Sequence, residues 1–283
     1  MQSRYLNLGT MGEASSSDPI ALESILQCPR CVRRFQRERL VLVCPGCRLT
    51  VSLPPQLVDV MQEDSTKTTL GARFMASGLA AFIYQSLWRP VMFQLSSGFR
   101  LPRFEAEANL VISKMKSAEG PWLDLACGPG ALTGRLLEAA GERLVVAVDS
   151  SLAMLRRARR AAPRAALVRA DVLTLPFPND TFGAVVNLAA LDLFPDAKAA
   201  LVESTRVLRP RGLWVASCFL RTERQPVPSA WSAFATELGL HALTQQQLIE
   251  LSERAGLTGY EHFRFGRYVL AWATKAASPR EIT

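Results

Sequence analysis

Four of the six cysteines stand in two closely spaced pairs whose spacing favours metal binding. Cys28 and Cys31 form the first C-x2-C pair, Cys44 and Cys47 form the second, and twelve residues separate the pairs. Two such pairs are typical of a tetrahedral site in which four thiolates bind one Zn²⁺ ion. Such a site leaves no open coordination position, so we predict a structural zinc ribbon over residues 21–61. Iron bound by the same four sulfurs and a pair of disulfides are the alternatives.

A second signal is a short apolar strand that runs into glycines and then into a predicted helix. The segment from Leu123 to Gly130 reads LDLACGPG. Glycine at position 128 lets a ligand approach the backbone without a Cβ in the way, and the helix N-terminus behind it favours an anionic group. Asp149 follows 19 residues after Gly130, at the end of the next strand, where a carboxylate accepts hydrogen bonds from ribose hydroxyls. This much also fits a dinucleotide-binding enzyme.

Two details distinguish this segment from the dinucleotide-binding fingerprint. The glycines stand at Gly128, Gly130 and Gly134, one residue longer than the spacing G-x-G-x-x-G. Asp124 lies upstream of the loop, where its carboxylate can meet a cationic amine instead of a pyrophosphate. A ligand with an amine, a carboxylate, a ribose and a base matches these charges, and S-adenosylmethionine has all four groups.

The elements that must position these residues follow from the change of pattern after Gly120. Alternating short strands and helices predict an α/β fold with a doubly wound, mostly parallel sheet that binds its ligand at the carboxyl ends of the strands. We predict a Rossmann-like, seven-stranded sheet over residues 119–283, closed by an antiparallel pair at 260–265 and 268–274. Residues 1–20 are polar and are predicted to be a flexible tail.

Between the ribbon and the sheet, residues 62–118 are predicted to form a linker and a helical lid. The part from Leu70 to Met115 is unusually apolar. Tyr84 and Trp88 stand at helical spacing, and we expect them to face the substrate pocket. The alternative is that both aromatic side chains are ordinary core.

From about residue 120 to 274, the chain resembles the class I S-adenosylmethionine-dependent methyltransferases of the ubiquinone/menaquinone-biosynthesis-like family. The segments that carry the resemblance are LDLACGPG from Leu123, DSSLAML from Asp149, RADVLTLPF from Arg169 and LRPRG from Leu208. Two positions depart from the family pattern, with Gly183 in place of an aspartate and Arg211 in place of a common glycine.

The resemblance implies how this chain would bind its cofactor. Asp149 would bind the ribose, Asp171 and Val172 would bind adenine by a carboxylate and a main-chain amide, and Met154 would pack on the base. The complete set of cofactor-binding residues that it implies is Asp124, Ala126, Cys127, Gly128, Gly130, Asp149, Ser150, Met154, Asp171, Val172 and Asn187.

One residue is a candidate catalytic base. Asp192 follows the fourth predicted strand, at the place where many relatives of this kind carry histidine. A base matters only if the acceptor must lose a proton, as a phenol does. The alternative is an aspartate that caps a turn or a helix.

The ribbon and the lid narrow the resemblance further. Together they are similar to ribbon-bearing methyltransferases such as the large-subunit rRNA guanine enzyme and some chloroplast proteins, and the segment from Tyr84 to Arg89 resembles the latter more. We therefore predict methylation of an apolar or aromatic small molecule, such as a secondary metabolite. An rRNA base methyltransferase is one alternative, and a cofactor-binding cyclase or scaffold that transfers no methyl group is another.

Charge and hydropathy limit the partners. The formal net charge is +8 and arginine greatly outnumbers lysine, which admits an RNA partner. The densest basic stretch, from Arg156 to Arg164, lies on a predicted surface helix and fits a solvated face better than an RNA contact. No apolar run reaches the ~18 residues of a membrane span, so we expect no membrane insertion. The N-terminus is polar where a signal peptide would be apolar, and we predict a cytoplasmic protein.

Overall fold

The computed structural model describes residues 19–52, 57–61, 104–221 and 242–277. Their strands, in chain order, are β1 (Gln36–Glu38), β2 (Val41–Val43), β3 (Thr50–Ser52), β4 (Leu57–Asp59), β5 (Trp122–Leu125), β6 (Val145–Asp149), β7 (Ala166–Arg169), β8 (Phe182–Leu188), β9 (Leu208–Phe219), β10 (Leu257–Phe265) and β11 (Tyr268–Lys275). Their helices are α1 (Pro19–Ser24), α2 (Phe104–Met115), α3 (Ala131–Ala140), α4 (Leu152–Ala161), α5 (Ala197–Val207) and α6 (Gln245–Arg254), with a 3₁₀ turn at Leu191–Leu193 between β8 and α5.

Among the described residues, the main sheet has eight strands in the order β10-β11-β9-β8-β5-β6-β7-β4. The six strands from β9 to β4 in that order run parallel, whereas β11 is antiparallel to both of its neighbours, β9 and β10. From β5 the chain moves outward through β6 and β7, and then returns to β8 on the other side of β5. In doubly wound sheets, ligands bind at the carboxyl ends of the strands at this point of reversal. The predicted fold class is therefore confirmed, and β5 and β8 mark the expected crevice.

The strand at the edge of this sheet comes from the N-terminal part of the chain. Residues 57–59 fall within the range predicted for the ribbon, but they form β4, which pairs in parallel with β7. The seven strands of residues 119–283 are present as predicted, and β4 is an eighth. A strand of three residues carries too little periodicity to be assigned to one sheet or another from sequence.

Helices cover both faces of the sheet because successive side chains of each strand point to opposite sides. On β9, Trp214 and Ala216 pack with α5 and α6, whereas Val215 packs on the opposite face with α2 and α3. The helix α4 packs on that second face too, where its Leu155 and Ala158 are buried with Ala147.

The ribbon is a small antiparallel sheet in the order β1-β2-β3. Its apolar side chains Leu26, Leu42 and Val51 are buried in the same cluster as Phe177 of the large domain. A unit of this size cannot bury much apolar surface alone, and here it docks on the larger domain. Before β2, Arg39 has a φ of 56° and belongs to the turn that follows β1.

The end of the predicted lid is part of the core. Residues 104–115 form α2, whose Ala108, Val111 and Met115 are buried against Trp122 on one face of the sheet. Their spacing of three and four residues makes one apolar stripe along the helix. This helix therefore packs as a layer on the sheet instead of covering the strand ends. The rest of the predicted lid, including Tyr84 and Trp88, lies outside the described residues.

Gly183, one of the two departures from the family pattern, has a local structural reason. A Cβ at this position would collide with the carbonyl oxygen of Glu119. The amide of Gly183 also donates a hydrogen bond to the Pro121 carbonyl oxygen at 2.9 Å. The segment before β5 therefore occupies the space that an aspartate side chain would need.

Candidate cofactor and metal sites

The four paired cysteines come together at the tip of the ribbon. Their Sγ atoms all lie within 4.8 Å of one another. Sγ–Sγ separations are 3.5 Å between Cys28 and Cys47 and 3.2 Å between Cys31 and Cys44. Zn–S bonds of about 2.3 Å in a tetrahedron require sulfurs about 3.8 Å apart. The four sulfurs therefore lie close enough together to bind one metal ion as thiolates. All six cysteines of the chain are free thiols.

The two cysteine pairs lie in turns with the same backbone hydrogen bonds. The amide of Val32 donates to the Cys28 carbonyl at 2.9 Å, and the amide of Arg48 donates to the Cys44 carbonyl at 3.0 Å. Val32 and Arg48 both take left-handed φ angles, 59° and 60°. Each turn thus presents two sulfurs in the same way, as a pseudo-symmetric metal site needs.

At the carboxyl end of β5, Asp124 is buried beside the first residues of α3. The hydroxyl of Thr133 donates to its Oδ2 at 2.6 Å. Burial raises the pKa of Asp124 to about 7, with a further contribution from the nearby charge of Asp149. A cationic ligand would favour the ionised form of this carboxyl. The sequence offers no signal for Thr133, since it becomes a partner only when α3 packs beside β5.

The turn between β5 and α3 keeps its backbone open on one side. Gly128 has a φ of +54°, and a Cβ placed there would meet nothing within 4 Å. Gly130 has a φ of +84°, and its Cβ would lie 2.7 Å from the Cα of Ala158 in α4. Gly130 therefore allows two helices to approach closely, whereas Gly128 leaves open space beside the backbone. Between β5 and these glycines, Ala126 is also left-handed, with a φ of 57°, and Cys127 is buried.

Asp149 ends β6 and joins this turn to the start of α4. Its Oδ2 accepts a hydrogen bond from the Gly128 amide at 2.9 Å, and its Oδ1 accepts one from the Ser151 amide at 2.8 Å. Ser151 in turn caps α4 by accepting from the amide of Met154 at 3.3 Å. Burial raises the pKa of Asp149. Each carboxylate oxygen has a further lone pair, so this side chain can still accept hydrogen bonds from a diol.

The next strand end carries the residues expected at adenine. Asp171 follows β7, and its Oδ1 accepts a hydrogen bond from the Leu173 amide at 2.9 Å. Asp171 and Val172 are both partly exposed. Met154 is buried on α4. These positions are compatible with the predicted roles, which remain predictions.

Asn187 lies near the carboxyl end of β8 and faces the neighbouring strand. Its Nδ2 donates to the Leu125 carbonyl at 2.7 Å. Its Oδ1 is buried and has no hydrogen-bond partner among the described residues. A buried acceptor without a partner at the reversal point is suited to a ligand donor.

Asp192 lies in the 3₁₀ turn after β8 and is also buried. Burial raises its pKa to about 6, while the Phe219 amide and the charge of Arg267 act in the opposite direction. Its Oδ1 has no partner within the described part of the chain. The backbone amide of Asp192 itself also bonds this carboxyl and acts to lower its pKa, as expected of a turn aspartate, and the role of Asp192 as a base remains a prediction.

A polar network near these strand ends was not predicted. The Tyr268 hydroxyl donates to Glu107 on α2 and lies 2.6 Å from Ser217 Oγ. Ser217 Oγ accepts from the amide of Ala189 at 3.0 Å, just after β8. The one sequence signal was a glutamate within the apolar stripe of α2, and this network accounts for its burial.

Comparison with known proteins identifies the class of this site. Residues 123–212, which include the glycine turn and the ends of β6, β7 and β8, match the family model described as a methyltransferase domain. A solved structure, Haemonchus contortus phosphoethanolamine N-methyltransferase 2 in complex with S-adenosylhomocysteine, superposes with a TM-score of 0.55 at 16% identity. That match covers 74% of this chain and 61% of that one, and it supports the fold. The chain is an S-adenosylmethionine-dependent methyltransferase with a class I fold.

Two curated relatives indicate where in this class the chain lies. An uncharacterized chloroplastic methyltransferase of Arabidopsis thaliana is 27% identical over 89% of this chain and 78% of its own length. Demethylmenaquinone methyltransferase of Lactiplantibacillus plantarum is 29% identical over 55% of this chain and 78% of that protein. The first similarity covers most of this chain, whereas the second covers about half of it.

In the described residues, no helix is long and apolar enough to cross a membrane.

Proposed function

We propose that this methyltransferase acts on an apolar or aromatic small molecule. The observation that supports its cofactor site is the convergence of Asp124, Gly128, Asp149 and Asn187 where the sheet reverses. In this proposal Asp124 holds the amine of S-adenosylmethionine, the open backbone at Gly128 admits its methionyl part, and Asp149 accepts from the ribose hydroxyls.

Further residues complete the cofactor site in this proposal. Asp171 and Val172 bind adenine and Met154 packs on it, while Ala126, Cys127, Gly130 and Ser150 shape the turns between these groups. When bound, the cofactor supplies a methyl group on a sulfonium, whose thioether product leaves without protonation. The work left to the protein is to align the acceptor and to exclude water.

Asp192 is the proposed base for an acceptor that must lose a proton. Its free Oδ1 and its pKa of about 6 suit an acceptor of protons near neutral pH, because a general base works best with a pKa near the working pH. A phenolic acceptor would need this base, whereas an already ionised acceptor would not.

The substrate class rests on the sequence and on the names of relatives. The segment from Leu70 to Met115 is rich in large apolar side chains, and small-molecule pockets are lined mainly by such residues. We propose that Tyr84 and Trp88 form part of that lining. A relative named for demethylmenaquinone makes a quinol-like aromatic acceptor a sensible first choice. The cytoplasmic location stays a prediction, because the Arabidopsis relative is named as chloroplastic.

We propose Zn²⁺ as the ion of the four-cysteine cluster. The four sulfur donors of Cys28, Cys31, Cys44 and Cys47 support this choice over ions that prefer oxygen ligands. All four positions are filled by thiolates, so the ion would stabilise the ribbon without a part in methyl transfer.

RNA is a second candidate acceptor, favoured by one observation on the ribbon. Its outer surface exposes arginines at positions 30, 33, 34, 37, 39 and 48. Arginines on an exposed surface bind phosphates, and such binding weakens steeply with salt. Of these side chains, Arg37 forms an ion pair with Glu23, which lowers the free positive charge of this surface.

Transfer of a labelled methyl group separates the candidates. The purified protein is incubated with methyl-tritiated S-adenosylmethionine and, in parallel, with hydroxylated quinols, simple phenols or ribosomal RNA. We expect label in an aromatic fraction, and we expect Asp192→Asn to lower the rate most below the acceptor's own pKa. Label in RNA alone would establish the second candidate. Cofactor binding without transfer to any fraction would favour a non-methylating role.

A further inference from the structure

The residue directly before the first zinc-binding pair holds a loop of the large domain. The amide of Gln27 donates to the Pro176 carbonyl at 2.9 Å, and its Nε2 donates to the Phe177 carbonyl at 2.8 Å. Gln27 is only 7% exposed. Pro176 and Phe177 end the segment that starts at Asp171, the residue proposed to bind adenine. The ribbon thus holds one cofactor segment by two hydrogen bonds.

A second contact joins β4 to the turn that carries the ribose-binding aspartate. The guanidinium of Arg169 donates from Nε to the Ser150 carbonyl at 2.9 Å, and from Nη1 to Asp59 Oδ2 at 3.1 Å. Nη1 also lies 3.4 Å from the carbonyl oxygen of Met61. Arg169 is 8% exposed, so its bond to the Ser150 carbonyl is largely shielded from water, whereas the Asp59 side chain is 39% exposed.

Backbone pairing extends this second contact to the end of β7. Asp59 is the register partner of Arg169, and the Val60 amide donates to the Arg169 carbonyl at 3.1 Å. Arg169 lies two residues before Asp171. Val58 and Val60 are buried in the same apolar cluster as Leu42 of the ribbon.

We propose that the metal-bound ribbon positions the adenosine half of the cofactor site, with Gln27 and Arg169 as the positioning residues. This inference rests on the proposed cofactor site. Segments 149–151 and 171–177 each carry a residue predicted to touch the cofactor. Gln27 of the N-terminal part holds the second segment directly, whereas Arg169 of β7 holds the first and is itself bound by Asp59 of the N-terminal part. The bound metal orders the ribbon, and the ribbon in turn orders these two segments. Less of the cofactor's binding free energy is then needed to order them. The two ligands then bind more tightly together than alone.

Linkage makes this coupling measurable from both sides. If the ribbon metal strengthens cofactor binding by some factor, the cofactor must strengthen metal binding by the same factor. Couplings of this kind are typically about 5- to 150-fold. A ribbon that only adds stability to the fold would leave both affinities independent.

The first measurement is calorimetric titration of S-adenosylhomocysteine into zinc-loaded full-length protein. Arg169→Met keeps the apolar stem and removes the guanidinium, and Gln27→Leu removes the side-chain donor. We expect affinity to fall about fivefold or more in each variant while one zinc per chain remains bound. The matched control is Arg37→Met, which breaks the 2.8 Å ion pair with Glu23 inside the N-terminal part and should leave the affinity unchanged.

The second measurement is competition for zinc by a chromophoric chelator, with and without S-adenosylhomocysteine. We expect the ligand to strengthen zinc retention in the unaltered protein and in Arg37→Met, and to do so much less in Arg169→Met. Arg169→Lys, which retains one charged donor, should recover part of the coupling. A variant that loses stability without losing this coupling would show a structural role only.

Two results would overturn the inference. Unchanged S-adenosylhomocysteine affinity in both zinc-loaded variants would show that the contacts do not position the site. Equal zinc retention with and without the ligand would show that no coupling exists. Unaltered zinc-loaded protein that binds no S-adenosylhomocysteine would instead overturn the proposed cofactor site and the inference with it.

Discussion

Two carboxyl groups, the buried Asp124 and the partly buried Asp149, lie at adjacent strand ends and differ in how they are held. Asp149 accepts two backbone amides and is fixed between the glycine turn and α4. Asp124 accepts one hydroxyl, and burial raises its pKa to about 7. The first therefore suits its proposed role of binding ribose hydroxyl groups, and the second suits its proposed role of meeting the ligand amine.

Asp149→Ala should weaken S-adenosylhomocysteine binding at least tenfold. The substitution removes the acceptor of two ribose hydroxyls, and hydrogen bonds to a charged group contribute about 1.5–3 kcal/mol each. Calorimetry checks the affinity, and thermal unfolding without ligand checks that the fold persists. The matched control is Asp196→Ala, which removes the exposed cap of α5 far from the turn. Equal affinities in the two variants would refute the ribose assignment.

Binding of S-adenosylhomocysteine should weaken as the pH falls from 8 to 6. The free protein holds Asp124 with a pKa of about 7, so acid neutralises the carboxyl that must meet the ligand amine. Ionisation thus favours binding above pH 7, and protonation opposes it below. Affinity measured at half-unit steps should show a midpoint near 7. In Asp124→Asn the affinity should be lower and this midpoint should disappear, whereas a midpoint that persists would assign the titration to another group.

At the scale of elements, local spacing explains what the sequence could predict. The cysteine pairs and the turn from Asp124 to Gly130 are each built within one short stretch, so residue types alone indicate their geometry. The hydrogen bond from Gln27 to Phe177 joins residues 150 apart. Such contacts depend on how the ribbon docks on the large domain, and no hydrophobic period or residue spacing in the sequence predicts that docking. For the same reason Glu107 and Tyr268 could not be paired in advance.

Domain boundaries were hard to predict where an element is short or serves two layers. The strand β4 has three residues and belongs to the large sheet although it follows the ribbon closely. The helix α2 has the apolar stripe that is typical of a surface helix. Such a stripe predicts that one face is buried, but it does not predict on which surface of the domain the helix packs.

Arg211→Gly should stabilise the protein by about 1 kcal/mol. Arg211 has a φ of 61°, a left-handed conformation that costs a side-chain-bearing residue about 1–2 kcal/mol and costs glycine little. Urea unfolding of the two proteins checks the difference. Arg209→Gly, two residues earlier and without a positive φ, is the matched control and should destabilise. A loss of stability in Arg211→Gly would mean that the arginine side chain compensates the strain.

Removal of the ribbon metal should destabilise the whole N-terminal layer. We expect metal analysis to show about one zinc per chain, absent from Cys44→Ser and present in Cys218→Ser, whose buried thiol lies outside the cluster. Metal binding contributes directly to the folding of small zinc units, so the thermal unfolding temperature should fall in Cys44→Ser. Iron in the purified protein, or a disulfide between Cys28 and Cys31 under reducing conditions, would contradict the zinc assignment.

In the whole molecule, two parts of the chain build the surroundings of the proposed cofactor site, namely the parallel sheet and the N-terminal part. The parallel sheet carries the proposed cofactor-binding residues on the ends of β5, β6, β7 and β8. The N-terminal part adds an edge strand, a helix on one face and a ribbon on the other. The cofactor loops are thus held from outside the matched methyltransferase segment, residues 123–212.

The assignment of an S-adenosylmethionine site is tested most simply by asking whether the chain binds S-adenosylhomocysteine, the product of methyl transfer, at one site. We predict that calorimetric titration of S-adenosylhomocysteine gives one saturable site per chain, and that S-adenosylmethionine competes for it. An NAD titration is the control for a dinucleotide site, and we predict no competition from it. Absence of S-adenosylhomocysteine binding at millimolar concentration, or its displacement by NAD, would contradict the assignment of an S-adenosylmethionine site.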